Sequence, residues 1–81
     1  MVELINERIR VGAVFTGDQI NPVWFTWQNR KYKIEQVTYT WRDREGEAIL
    51  HYFNVLHSAN LYELCLNNKT LVWHLLKVTQ A

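Results

Sequence analysis

The chain has 81 residues, a formal net charge of +1 and a single cysteine, Cys65. A chain of this length holds enough apolar surface for one hydrophobic core, so we expect a single domain over residues 1–81. The small net charge excludes the overall field that draws strongly basic proteins onto nucleic acid or anionic membranes, so any electrostatic site must be local. One cysteine excludes an internal disulfide and favours a reducing compartment.

The N-terminal segment predicts a strand, with a short helical turn allowed before it by Val2, Leu4 and Ile5. Apolar side chains alternate with others from Ile9 to Phe15, which is typical of a half-buried strand. The segment is too charged for a secretory signal, and no stretch is long enough to span a bilayer, so we expect a cytoplasmic protein without membrane contact. Residues 16–22 predict a loop.

Residues 21–41 contain six of the eleven aromatic residues and predict a β-hairpin. A two-residue turn at Asn29-Arg30 is expected, because asparagine tolerates the positive φ that such turns require. This register predicts core-side pairs of Trp27 with Tyr32 and of Phe25 with Ile34, and it leaves Trp24 on the outer side. A β-bulge near Glu35-Gln36 would keep Val37, Tyr39 and Trp41 on the core side as well.

The second half of the chain predicts further antiparallel strands after a polar turn at residues 42–47. A turn at Ser58-Ala59 would pair Phe53 with Leu64 and Val55 with Tyr62. A turn at Asn68-Lys69 would pair Leu66, Leu64 and Tyr62 with Leu71, Trp73 and Leu75. The sequence therefore predicts an all-β fold, a single antiparallel meander of about six strands that forms a curled sheet or a small SH3-like barrel.

The outer face of this predicted sheet is unusually apolar. Its candidate contact residues are Leu50, Tyr52, Leu56, Leu61, Val72 and Leu76. A solvated sheet face should be polar, and no long helix remains to cover this one. Two explanations stay open: a homodimer or protein partner covers the face, or the curled sheet closes on itself. The first explanation predicts a small binding or adaptor module that acts through protein–protein contact.

Catalytic and metal-binding signals are weak in this sequence. None of the common nucleotide-binding, hydrolase or metalloprotease motifs occurs, so we expect neither enzyme activity nor a cofactor. The parity of the strands places His51 on the inner face but Cys65 and His74 on the outer face, which argues against a shared metal site. A small-ligand pocket near His51 and Tyr39 is the weakest of the alternatives.

Basic residues offer a second functional hypothesis. The candidate nucleic-acid contacts are Arg30, Lys31, Lys33, Arg42 and Arg44, together with Trp24. Curled sheets that bind single strands combine basic side chains with exposed aromatic rings on which bases stack. The alternative is that these charges keep an apolar hairpin soluble and discourage edge pairing.

The hairpin sequence also carries a family resemblance. Residues 25–32, FTWQNRKY, with the later YEL at 62–64 and WHLLKV at 73–78, resemble a family of short bacterial proteins of unknown function that shows F-x-W-x-G-R-x-Y and a closing Y-x-L and W-x-L-x-x-V. Asn29 stands where the family has glycine, and both residues tolerate positive φ. The resemblance implies hairpins and brings no catalytic residue or cofactor.

Overall fold

The computed structural model describes residues 1–80, which form seven β-strands and no helix. The strands are β1 (Val2–Thr16), β2 (Gln19–Trp27), β3 (Arg30–Lys33), β4 (Gln36–Glu45), β5 (Ala48–His57), β6 (Asn60–Asn67) and β7 (Val72–Thr79). The predicted all-β class is confirmed, and the residues for which a helical turn was allowed begin β1. Within residues 1–80 no helix is long and apolar enough to cross a membrane.

All seven strands belong to one antiparallel sheet with the order β3-β2-β1-β7-β6-β5-β4. β1 joins two meanders, because its C-terminal half pairs with β2 and its N-terminal half pairs with β7. The two edge strands follow one another in the chain through Ile34 and Glu35 alone. The amide of Ile34 donates to the carbonyl of Val23 (3.0 Å), and that of Glu35 donates to Leu56 (2.9 Å). This short link draws the edges together at one end, so the sheet curls into a half-barrel.

β1 can serve both meanders because bulges interrupt it. Its register shifts between Leu4 and Glu7 against β7, where Asn6 adopts a φ of 53°, and again between Gly12 and Ala13 against β2. Bulges increase the local twist and bend a strand, which is how a 15-residue strand follows a curved sheet.

The core lies inside the curl and is built mainly from the inner faces of β2, β5, β6 and β7. Phe25, Val55, Leu64 and Leu75 are completely buried. Phe25 stacks on Tyr32 with ring centroids 4.9 Å apart. The burial of Phe25, Leu64 and Trp73 confirms the predicted inner set, and the predicted Ser58-Ala59 turn is confirmed with its pairs.

The first hairpin turns one residue earlier than predicted. Gln28 and Asn29, with φ of 53° and 62°, form the turn, so Trp27 faces Arg30 and Phe25 faces Tyr32. A two-residue turn of this kind needs positive φ at both central positions, and the polar Gln28 accepts it. The predicted Asn29-Arg30 turn was therefore wrong, and Arg30 belongs to the strand.

The bulge in β4 also lies elsewhere than predicted. The amide of Glu35 donates to the carbonyl of Leu56, and Gln36 pairs with Leu56. The hydrogen-bond ladder between β4 and β5 is therefore regular at residues 35–36, and its register shifts only between Val37 and Tyr39. Val37 therefore faces Val55 on the inner side, whereas Tyr39 and Trp41 point outward. The prediction that these two aromatic residues join the core was wrong.

The last loop is longer than the predicted two-residue turn. The side-chain oxygen of Asn67 accepts hydrogen bonds from the amides of Lys69 (2.9 Å) and Thr70 (3.2 Å), and Leu71 closes the loop with a φ of 61°. As a result Leu66 pairs with Trp73, Leu64 with Leu75 and Tyr62 with Val78. Leu71, predicted to face the core, is 69% exposed.

Candidate binding surfaces

An apolar cluster occupies the outer face of β4 and β5. We call it the aromatic surface, and it consists of Tyr39, Trp41, Leu50 and Tyr52. Trp41 lies directly opposite Tyr52, and their rings stack in parallel with centroids 5.0 Å apart. Tyr39 extends the cluster 5.6 Å beyond Trp41 and is 64% exposed. Sequence reasoning missed Tyr39 and Trp41 here, because the position of the β4 bulge decides their side.

The structure places the six predicted contact residues at separate locations on the sheet. Those in the aromatic surface are Leu50 and Tyr52. Val72 lies on β7 and is separated from Leu50 by Asn67 of β6. Leu56 and Leu61 form a cross-strand pair of their own. A polar row separates this pair from the aromatic surface, and within it Lys77 Nζ lies 3.5 Å from Glu63 Oε1. Leu76 is the extra residue of a bulge in β7. The outer face therefore holds one continuous apolar cluster and one isolated leucine pair.

Cys65 lies on the outer face beside the aromatic surface, in the row between Tyr52 on β5 and His74 on β7. Its side chain is buried, and burial raises the pKa of the thiol, which keeps it protonated and poorly nucleophilic at neutral pH. His51 is on the inner face, as predicted. In the described part of the chain, no group of three or more His, Cys, Asp or Glu side chains could hold a metal ion.

A second surface covers β1, β2 and β3. We call it the basic surface, and it consists of Arg8, Arg10, Trp24, Lys31 and Lys33. Arg30, which was predicted with them, faces Trp27 across the hairpin and lies over the ring of Tyr32, so its side chain is on the inner side of the sheet. Arg10, Thr26 and Lys31 are aligned across the three strands. A cavity of about 650 Å³ lies between residues 7–10 of β1 and residues 26–31 of the hairpin. Among the residues that line it are Arg8, Arg10, Arg30 and Lys31.

Trp24 lies in the basic surface against the backbone of β1. It faces Gly12 across the strands, and its indole occupies the space that a side chain at position 12 would fill. The ammonium group of Lys31 is 4.7 Å from the centre of the indole ring, a cation–π contact. The lack of a side chain at Gly12 thus lets a half-buried tryptophan lie on the sheet.

The predicted nucleic-acid residues are only partly brought together. Arg42 and Arg44 lie on β4, which pairs only with β5 in the described sheet, so they do not belong to the basic surface. The basic surface instead contains Arg8 and Arg10 of β1, which were not predicted from the sequence. Their alternation with apolar residues in β1 did indicate an outward direction. The pairing of β1 with β2 was the missing information.

The predicted pocket near His51 corresponds to a groove of about 530 Å³ between the start of β2 and the inner face of β4 and β5. Arg42 and Asp18 line it with His51. Burial, and then the charge of Arg42, lowers the pKa of His51, so its imidazole is neutral at pH 7. Tyr39 points away from this groove, which contradicts the predicted pairing of His51 with Tyr39.

Comparison of the chain with family models, with curated proteins and with solved structures found no match. The resemblance to short bacterial proteins stays a prediction. The two surfaces are therefore interpreted from their geometry and chemistry.

Proposed function

We propose that this protein is a small binding module that acts through protein–protein contact, with the aromatic surface as its contact and a second copy of the chain as its partner. The observation that carries the proposal is the parallel stack of Trp41 on Tyr52, which lies on the outer face of the sheet with the exposed Tyr39 beside it. No other strand of residues 1–80 packs over this stack.

The chemistry of the aromatic surface fits a contact better than a solvated face. The outer side of an antiparallel sheet is normally polar, because water covers it. Tryptophan and tyrosine are the residues that most often dominate binding energy at interfaces, since they bring a large rigid area and lose little conformational entropy. The three aromatic rings of the aromatic surface, with Leu50 beside them, form the kind of apolar centre that such interfaces contain.

The charges around the aromatic surface favour a second copy as the occupant. A cross-strand row runs from Trp41 on β4 through Cys65 to Arg8 on β1. The β4 end of the face carries Asp43, which is exposed beside Leu50, and the β1 end carries Arg8. A two-fold axis near the middle of the row would bring the acidic end of each copy over the basic end of the other.

The test is the oligomeric state of wild-type protein and two variants, measured by sedimentation equilibrium between about 1 and 500 µM. We expect wild-type particles of twice the 9.7 kDa chain mass. Trp41→Lys should weaken the dimer by about 30-fold or more, as expected for loss of a central aromatic contact. Phe15→Lys is the control, because Phe15 is an aromatic residue exposed at 60% that lies on the β1–β2 hairpin, away from the aromatic surface.

Two results would overturn the proposal. One is a wild-type protein that stays monomeric at 500 µM. The other is a dimer that Trp41→Lys and Phe15→Lys weaken equally, because the contact would then not depend on the aromatic surface. Far-ultraviolet circular dichroism of each variant separates loss of the dimer from loss of the fold.

A further inference from the structure

Four of the nine cationic side chains lie on the outer side of β1 and of the β2–β3 hairpin. They are Arg8, Arg10, Lys31 and Lys33. The ion pairs found within residues 1–80 are Lys69 with Glu47 and Lys77 with Glu63, so none of the four is neutralised by a carboxylate. Glu7 is the one acidic residue lining the cavity, and four cations with one carboxylate give this region +3 against +1 for the whole chain.

The geometry of the basic surface suits an extended polyanion. Arg10 and Lys31 flank Thr26 in one cross-strand row, and Trp24 and Lys33 lie in the next outward-facing row, about 6.8 Å further along the strands. Cations on β1 and on β3 thus border the sides of a strip whose middle is β2. A chain of phosphates laid along the strip would meet cations on either side of it.

Trp24 gives this strip a feature that phosphate binding alone does not need. One part of its ring lies against Gly12, and the ammonium group of Lys31 is 4.7 Å from the ring centre. The ring can therefore be approached by a group that packs over it. A nucleobase can take the position of the ammonium and stack on the indole, and Lys31 is then free to contact a phosphate. Duplex bases already stack on one another and would leave Trp24 unused.

We infer that the basic surface is a binding site for single-stranded nucleic acid. Arg10 and Lys31 contact phosphates, Trp24 stacks on a base, and the cavity between β1 and the hairpin accommodates the neighbouring nucleotide. The site shares Arg8 with the contact proposed for the dimer, but Arg10, Lys31 and Trp24 are not part of that contact, so the inference does not rest on the proposed dimer.

The experiment is a titration of a fluorescein-labelled 15-nucleotide oligothymidine, followed by anisotropy at several salt concentrations. Each phosphate neutralised on a single strand contributes about −0.7 to the slope of log K against log salt, so four cations give a slope of at most about −2.8. Trp24→Leu should weaken binding by about 5- to 150-fold. Lys31→Ala should reduce the steepness of the slope by about 0.7.

Arg44→Ala is the matched control, because it removes the same charge from an exposed position on β4. It should leave the affinity unchanged. Since Trp24→Leu could disturb the fold, Lys31→Ala, at an exposed strand position, keeps the test valid through its salt slope alone.

Three results would overturn the inference. The first is no binding of the oligomer at about 50 mM salt. The second is equal weakening by Arg44→Ala and Lys31→Ala, which would indicate attraction without a site. The third is binding to a 15-base-pair duplex, or to vesicles of phosphatidylcholine and phosphatidylserine, as tight as binding to the single strand and insensitive to Trp24→Leu.

Discussion

The contact between Gly12 and Trp24 leads to a prediction about the change in stability on Gly12→Ala. Its sign shows whether the restriction of the unfolded chain or the displacement of the Trp24 ring has the larger effect. Alanine in place of glycine within a strand ordinarily stabilises a protein by about 0.5–1 kcal/mol, because the unfolded chain loses conformational freedom. In this protein a Cβ at position 12 would overlap Cε2 and Nε1 of the Trp24 indole. We therefore expect Gly12→Ala to destabilise the fold by moving the ring off the sheet.

The magnitude follows from the area that Trp24 shields. A tryptophan side chain buries roughly 150–250 Å² when it is fully covered, so the half-buried Trp24 shields about 100 Å². At about 25 cal/mol per Å², exposing that area costs about 2.5 kcal/mol, and the intrinsic gain from alanine offsets about 0.5–1 kcal/mol of it. Partial repacking of the ring leaves an expected loss of about 1–2 kcal/mol.

The assay is urea unfolding followed by circular dichroism, because tryptophan fluorescence will itself change when Trp24 moves. Gly12→Ala is measured in the wild type and in a Trp24→Ala background. Without the indole the same substitution should stabilise by about 0.5–1 kcal/mol, which gives a coupling energy of about 1.5–3 kcal/mol between positions 12 and 24. An equal effect of Gly12→Ala in both backgrounds would refute the close approach of Trp24 to β1.

Three further predictions concern other positions. Burial, and then the charge of Arg42, lowers the pKa of His51 below its ordinary 6.5, so below pH 6.5 the unfolded chain binds more protons than the folded chain and stability falls. The melting temperature of His51→Gln should therefore fall less than that of the wild type between about pH 7.5 and 5.5, and an equal fall would contradict this. Ser58 and Ala59 have positive φ of 49° and 66°, which Asn and Gly tolerate better, so Ser58→Asn with Ala59→Gly should stabilise the fold by about 1 kcal/mol, or about 4–8 °C in melting temperature. An unchanged or lower melting temperature would count against that turn. Buried Cys65, whose pKa is raised by burial, should react slowly with an aromatic disulfide reagent at about pH 8 until urea unfolds the chain, and fast reaction of the native protein would show an open thiol.

Much of the inner face could be predicted because side-chain direction in a strand is a local property. Phe53 and Val55, and their partners Leu64 and Tyr62, alternate with outward residues on two strands, and a tight turn at residues 58–59 sets one register between them. The same alternation placed Phe25 inside, even though the hairpin turn was assigned one residue too late.

The candidate surfaces were less predictable, because each depends on a single feature between distant parts of the chain. Tyr39 and Trp41 face outward only because the ladder is intact at Gln36 and the bulge comes after Val37, which the partner strand β5 decides. A one-residue shift in the place of a bulge moves all following side chains to the other face. The alternation in β4 allowed either outcome.

The order of side chains along the chain was enough to determine an all-β protein with an aromatic core, since periodicity and turn-forming residues act over a few positions. The pairing of β1 with both β2 and β7 was decided only by the tertiary structure, where residues as far apart as Met1 and Gln80 bind each other. That pairing brings Arg10 beside the hairpin and makes one basic surface from two separate segments. Such long-range pairing depends on the packing of the whole curled sheet, which no local pattern contains.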